Sequence, residues 1–316
     1  MLKIQALDPL FFRDGKPFTM GEDAGAESMF PPVPSVFYGA LRTLYFSEHP
    51  ELFMYIKENK LFNTDADSTK YFHLRGAFLE EFGEPLFPLP YDCVNPDGEE
   101  GTAYLLQLEP NELISSRTLP MVLRSPIEGQ VENMDGAVMT LGTFLEYLHG
   151  QSTMFGYKEV ADSIVKESKT GIGLNQDRRS TEDGKLYRLS MVRMEPKHEY
   201  QKQSSPLSFV LDYDRLTLPA QGVMRLGGEG RLASFEQVEP FVIPAPALSG
   251  NRFKLYFATP SFFRRGWLPK WIDPHTLTGE YKGIGLKLLS VAAGKYVPIG
   301  GFDMNKNRPK TMRRAG

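Results

Sequence analysis

Glycine and proline together account for 53 of the 316 residues, and they are spread along the whole chain rather than gathered into one linker. Proline fixes φ and removes a backbone donor, while glycine loosens the chain at every position it occupies. Such a distribution predicts many loops and hairpins around packed elements. No fixed-period repeat accompanies it, which leaves solenoids and propellers unsupported. The hydrophobic share is 41% and the aromatic share 12%, with 22 Phe and 14 Tyr. That is enough apolar surface for a core, at a length that accommodates two ordinary domains. No apolar run approaches the ~20 residues of a membrane span, so a membrane protein is not expected. The N-terminal segment lacks the pattern of a secretory signal. The single cysteine, Cys93, excludes an internal disulfide and any multi-cysteine metal site. A cytoplasmic protein is the natural reading.

Local patterns place several elements. Leu2, Ile4 and Ala6 alternate with Lys3, Gln5 and Leu7, a short strand of period two. It ends at Asp8-Pro9 and leads through Phe11-Phe12 into a turn-rich segment. After Pro31, Pro32 and Pro34, Ser35 is the expected N-cap of a helix whose stripe is Val36, Phe37, Ala40, Leu41, Leu44 and Tyr45. Residues 51–139 are weakly periodic and predict strands and insertions. Thr140 and Gly150 bracket a second short helix. Residues 171–193 predict a hairpin with a polar tip at 175–181 and Asp183-Gly184 as turn residues. Phe253, Leu255 and Phe257 alternate with Arg252, Lys254 and Tyr256, a half-buried strand. The fold class is α+β.

Net charge is −3, but it is divided unevenly. Residues 51–150 carry 6 Lys/Arg against 17 Asp/Glu, and residues 151–316 carry 26 against 16. Catalysis finds little support in the pattern. The five histidines, His49, His73, His149, His198 and His275, are scattered without metal spacing, and no nucleophile elbow, Walker loop or dinucleotide fingerprint is present. No catalytic residue, metal site or cofactor is expected. What recurs is glycine beside basic residues. One example is Gly227-Gly228-Glu229-Gly230-Arg231. Another is Gly300-Gly301 followed by Lys306, Arg308, Lys310, Arg313 and Arg314. Glycines let backbone amides approach phosphates, and Lys/Arg neutralise them with release of counterions. Interleaved aromatics, here Phe302 and the Phe262-Phe263-Arg264-Arg265 segment, can stack on splayed bases.

These segments resemble the RAMP superfamily of CRISPR-associated proteins, and more narrowly the Cmr-complex (type III-B) subunit family that caps the 5′ end of crRNA. The matching residues are Leu7–Phe18 at the opening and Pro34–Arg42 on the helix that follows. Gly171-Ile172-Gly173-Leu174 matches the hairpin, with Leu186-Tyr187 downstream, and Leu226–Arg231 the next glycine motif. Gly294–Asp303 and Pro309–Ala315 match the C-terminal loop. The family continues into a closing strand where this chain stops at Gly316, so the C-terminal sheet is expected to lack its last strand.

The resemblance implies two fused ferredoxin-like (RRM-like) domains, 1–160 with acidic insertions and 161–316 basic. It implies a non-catalytic subunit that holds the crRNA 5′ tag, pairs with the large polymerase/cyclase-like subunit and abuts the first backbone RAMP subunit. Residues 151–181, with Arg178 and Arg179, are the expected thumb that kinks the RNA. The expected RNA-binding set is Arg13, Lys16, Arg42, Gly171, Gly173, Arg178, Arg179, Gly227, Gly228, Arg231, Gly300, Gly301, Lys306, Arg308, Lys310, Arg313 and Arg314. Two rivals stand beside it. One is a RAMP-type metal-independent endoribonuclease using His49 as base. The other is a protein scaffold without RNA contact.

Overall fold

The computed structural model describes residues 1–13, 26–96, 99–112, 119–175, 180–196, 206–245, 250–263, 266–303, 305–306, 308–309 and 313–315. It is a mixed α+β protein with antiparallel sheets predominating. Among the described residues no helix is long and apolar enough to cross a membrane. The chain forms two compact units that are interleaved in sequence, where contiguous halves were expected. One holds Met1–Pro85, Ala161–Val242 and Pro298–Arg313; the other holds Leu86–Val160, Ile243–Val297 and Arg314–Gly316.

In the first unit, Leu2–Ala6 runs antiparallel to both Ser208–Asp214 and Leu232–Gln237. His73–Glu81 and Gln221–Arg225 extend the sheet on either side. The register places Leu2 opposite Leu211 and Ile4 opposite Phe209, so these residues share the apolar face. Leu2, Ile4 and Leu211 are wholly buried. Lys3 and Glu80 lie on the other face and pair at 2.6 Å.

Helix α1, Pro34–Glu48, covers the apolar face. Phe37 meets Phe209 edge-on at 4.9 Å, and Ala40, Leu41 and Leu44 are buried beside it. The start of α1 differs from expectation. Val33 rather than Ser35 is the N-cap, and Pro34 takes the first helical position with Ser35 after it. Proline costs nothing there because the amide it lacks would have had no helical partner. Helix α2, Pro50–Glu58, follows directly, with His49 as the junction between the two helices. Phe46, Ile56 and Phe62 bury together where the helices meet.

In the second unit, the strand Ala137–Thr140 pairs with residues 86–88 and with Lys158–Glu159. Helix α3, Leu141–His149, has the expected boundaries: the Thr140 hydroxyl accepts from the Thr143 amide, and Gly150 adopts φ 64°. Phe144 stacks on Phe87 at 4.2 Å. A buried polar knot lies alongside. The Asp92 carboxylate accepts from the Tyr147 hydroxyl at 3.0 Å and from Lys254 Nζ at 2.6 Å. Burial, then the charge of Asp92, pushes the Cys93 thiol up to about 12.

The segment containing Phe253, Leu255 and Phe257 departs from expectation, because it forms no strand. Its inward residues are the polar ones: Lys254 reaches Asp92, and the Tyr256 hydroxyl donates to the Pro88 carbonyl at 2.7 Å. Phe253 and Leu255 are left 55% and 61% exposed. Alternation alone does not say which face meets the core.

Candidate nucleic-acid interface

Three segments far apart in sequence interlock in the first unit. The expected hairpin is longer than predicted, with strands Val165–Asn175 and Ser180–Arg193. It springs from residue 165. Residues 151–164 are instead occupied by short strands and a 3-10 turn. Asp183-Gly184 lies inside the second strand rather than at a turn. The pairing moves from Ile172 opposite Leu186 to Leu174 opposite Thr181, so this dipeptide and Gly173 fall at a register shift. Glycine suits such a bulge because one strand must carry unpaired residues there.

The loop after the first strand docks on this hairpin. Leu10 and Val192 exchange backbone hydrogen bonds at 2.8 Å each. Ala26–Glu27 runs parallel to the hairpin at residues 189–190. The Phe12 amide donates to Ser28 Oγ at 2.9 Å, and Arg13 bridges to Ser28. Phe11 buries with Leu189 and Met191.

The glycine motif closes the third side. The Gly228 amide donates to the Phe11 carbonyl at 2.8 Å. Gly227 has φ 76°, and a Cβ there would sit 2.4 Å from that same oxygen. Only glycine meets both conditions. Lys169 Nζ lies 3.4 Å from Glu229, and Arg231 Nη2 lies 3.3 Å from Met191 Sδ. The close backbone approach expected toward phosphate is therefore made toward another segment of the protein.

The two hairpin faces differ sharply. Opposed residues share a face in an antiparallel pair. On one face Leu189 and Met191 are buried, Glu167 bridges Arg193, and Lys169 reaches Glu229 of the glycine motif. The other face carries Lys166, Ser168, Thr170, Arg188 and Ser190, with Val192 buried at its base and Glu27 beside Ser190 on the neighbouring strand. Lys166 and Arg188 are exposed, and Glu27 is the acid that the pairing places on this face. Neither cation was expected from the sequence. The signal was the alternation of Lys166, Ser168 and Thr170, just before the position where the hairpin was expected to begin.

The remaining expected site residues fall as follows. Arg13 is exposed at the rim of the interlocked loops. Gly171 lies within the first hairpin strand, opposite Tyr187. Arg42 is engaged inside the protein. Its Nη2 meets Asp67 at 2.7 Å, and its Nε donates to Thr69 Oγ1 at 2.7 Å. Its guanidinium also lies within 6 Å of the Tyr38, Phe46 and Phe62 rings, at 5.7 to 5.8 Å. Gly300 and Gly301 are exposed, as is Lys306. The neighbouring Asn305 donates to the Phe62 carbonyl at 3.0 Å, which brings this loop to the ring that Arg42 overlies. Arg308 lies in the strand Arg308–Pro309, paired with Phe302–Asp303, and Arg313 and Arg314 lie in Arg313–Ala315. Lys16, Arg178, Arg179, Lys310, Arg264 and Arg265 lie outside the described residues. Of the expected set, Arg13, Gly171, Gly173, Gly227, Gly228 and Arg231 thus lie at or beside the hairpin, and Arg42 lies over Phe62.

These features define an α+β protein organised around a long hairpin whose base presents Lys166 and Arg188 on one face. A family model of CRISPR-associated proteins, Cas_Cmr3, matches residues 2–316. The chain belongs to that family, as its motifs indicated. The fold is similar to chains in two cryo-EM structures of the type III-B Cmr-beta complex. One is bound to cognate target RNA and AMPPnP (state 1), the other to cognate target RNA. Each match has a TM-score of 0.53 at 18% identity, covering 99% of this chain and 83% of the other. No curated protein matches.

Proposed function

We propose that this protein is a non-catalytic subunit of a type III-B Cmr complex that holds the 5′ tag of crRNA on the exposed hairpin face. In this reading it is built from ferredoxin-like modules, and it bridges the large polymerase/cyclase-like subunit to the backbone RAMP filament. The observation that carries the reading is the packing of the loop at 7–13 and the motif at 226–231 onto one side of the hairpin. That packing fixes the hairpin rigidly and leaves Lys166, Ser168, Thr170 and Arg188 facing outward, with Arg13 at the rim. Two cations flanked by hydroxyl donors suit a phosphate backbone, which takes charge neutralisation and hydrogen bonds without reading sequence. Membership of the Cmr3 family supplies the context, and the neighbouring structures contain target RNA.

The arrangement around His49 favours a non-catalytic role over the endoribonuclease. Its Nδ1 lies 2.8 Å from the Tyr45 carbonyl, and its ring stacks on Tyr45 at 4.3 Å. A general base acts beside cations that stabilise the phosphate, whereas the ring contacts of His49 among the described residues are with Tyr45. This histidine instead serves a helix junction.

The test is binding to crRNA carrying or lacking its 5′ tag, with and without the large subunit, at two salt concentrations. Tag-dependent binding that is lost on Lys166→Ala/Arg188→Ala is the expected result. Tag-independent binding indifferent to that variant leaves a protein scaffold.

A further inference from the structure

A second surface lies in the other unit, within residues 253–287, and its chemistry differs from that of the hairpin. Four aromatic rings form a ladder. Phe257 meets Phe263 at 5.8 Å and Phe263 meets Trp271 at 5.9 Å, both edge-to-face, and Trp271 meets Tyr281 at 4.9 Å with a tilt of 41°. The end rings are open to solvent, Phe257 by 48% and Tyr281 by 46%, and Phe262 beside them is as exposed.

This order is built into the fold. Tyr281 sits on the hairpin Thr278–Tyr281/Ile284–Lys287, which lies directly against the backbone before it. The Asp273 amide donates to the Thr278 carbonyl at 2.8 Å. A Cβ on Gly279 would fall 1.7 Å from the Trp271 carbonyl oxygen, so only glycine lets the hairpin seat Tyr281 over Trp271.

Residues 240–272 contain no Asp or Glu. Lys270, next to Trp271, is exposed, and Lys282 Nζ lies 5.6 Å from the Tyr281 ring centre. Two exposed acids, Asp273 and Glu280, lie on the same stretch. The Asp273 carboxylate accepts from the amides of His275 and Thr276 at 2.9 Å each. Glu280 points to the face opposite Tyr281 by strand alternation.

We infer that this ladder is a stacking platform for single-stranded RNA. The exposed rings Phe257, Phe262 and Tyr281, with Lys270 and Lys282 beside the ladder, match what an unpaired strand offers: flat apolar bases joined by phosphates. Stacking of this kind tolerates any base sequence. The surface adds a contact that does not depend on the tag-binding hairpin.

The test uses the full chain carrying Lys166→Ala/Arg188→Ala, so that the hairpin face does not contribute, and a 15-nucleotide oligouridylate as probe. Binding is followed by anisotropy of the labelled probe and by tryptophan emission. Phe257→Ala and Tyr281→Ala should each weaken binding on the order of tenfold. Trp271→Phe should abolish most of the emission quench while retaining binding. Lys270→Ala/Lys282→Ala should flatten the salt dependence. Circular dichroism checks that these exposed substitutions leave the fold intact. Unchanged affinity in Phe257→Ala/Tyr281→Ala, or no oligouridylate binding in the parent, overturns the inference and leaves the rings to a protein partner. The outcomes separate the two surfaces. Tag binding lost only with the hairpin variant, alongside oligouridylate binding indifferent to the rings, sinks this inference alone. The converse result sinks the hairpin reading alone.

Discussion

The Gly228 amide donates to the Phe11 carbonyl at 2.8 Å, and through this bond the glycine loop and the first strand–loop connection act as one clamp on the hairpin. A glycine motif that reads as a phosphate cradle in one dimension is, in three, the fastener that orients a different surface. The hairpin's outer face owes its rigidity to the apolar contacts of Phe11, Leu189 and Met191 beneath it.

Gly227→Ala should therefore loosen the clamp without touching any exposed cation. The new Cβ meets the Phe11 oxygen in a backbone region unfavourable to L residues. A loss of about 1–3 kcal/mol is expected in urea unfolding. Amide exchange should rise along residues 186–193 before it rises in the central sheet.

Arg42→Ala should act through stability. It strips the partner from Asp67, whose side chain has no solvent exposure, and leaves a buried carboxylate with Asn63 and Thr69 as its donors among the described residues. Removing one member of such a pair costs about 3–5 kcal/mol. Arg42→Lys should recover only part of that, because one ammonium nitrogen cannot occupy both places where Nε and Nη2 stand. Chemical denaturation separates the three proteins.

Lys166→Ala/Arg188→Ala should leave stability almost unchanged, since both side chains are exposed and neither is bound to a partner among the described residues. Its effect belongs to RNA. For two lost single-strand phosphate contacts, the slope of log affinity against log salt should shrink by about 1.4. Titration at four salt concentrations measures this directly.

The Cys93 thiol should resist modification in the native protein. Burial first, then the negative charge of Asp92, raises it to about 12, against 9 for an ordinary thiol. A disulfide reagent at pH 8 should react only after denaturant is added. The sign of the pH effect follows. The folded state holds this proton more tightly than the unfolded state, so the contribution to stability is complete below pH 9 and is lost as pH rises through 12. Cys93→Ala should flatten that alkaline decline.

Much of the local structure was legible. The stripe of Phe37, Ala40, Leu41 and Leu44 marks α1 because a helix repeats its own geometry every few residues. Thr140 and Gly150 mark the ends of α3 because caps satisfy groups within one turn of chain. Helix α2 was missed. Its only buried residue is Ile56, so the short run from Pro50 offers no stripe to read. The Phe253 segment was misread for a related reason. Period-two alternation identifies two faces but not the core-facing one, and Asp92 and Pro88 claim Lys254 and Tyr256.

The amino-acid sequence by itself determined the α+β character, the family motifs and the division of charge, all of which depend on residue type and near-neighbour spacing. The tertiary structure alone decided that Gly227 and Gly228 face Phe11, that Arg42 belongs to Asp67, and that Lys166 and Arg188 share an open face. Those assignments depend on which distant segment reaches each group first. A buried charge or an unpaired amide takes the partner that packing brings within 3 Å, and one-dimensional spacing carries no record of that choice.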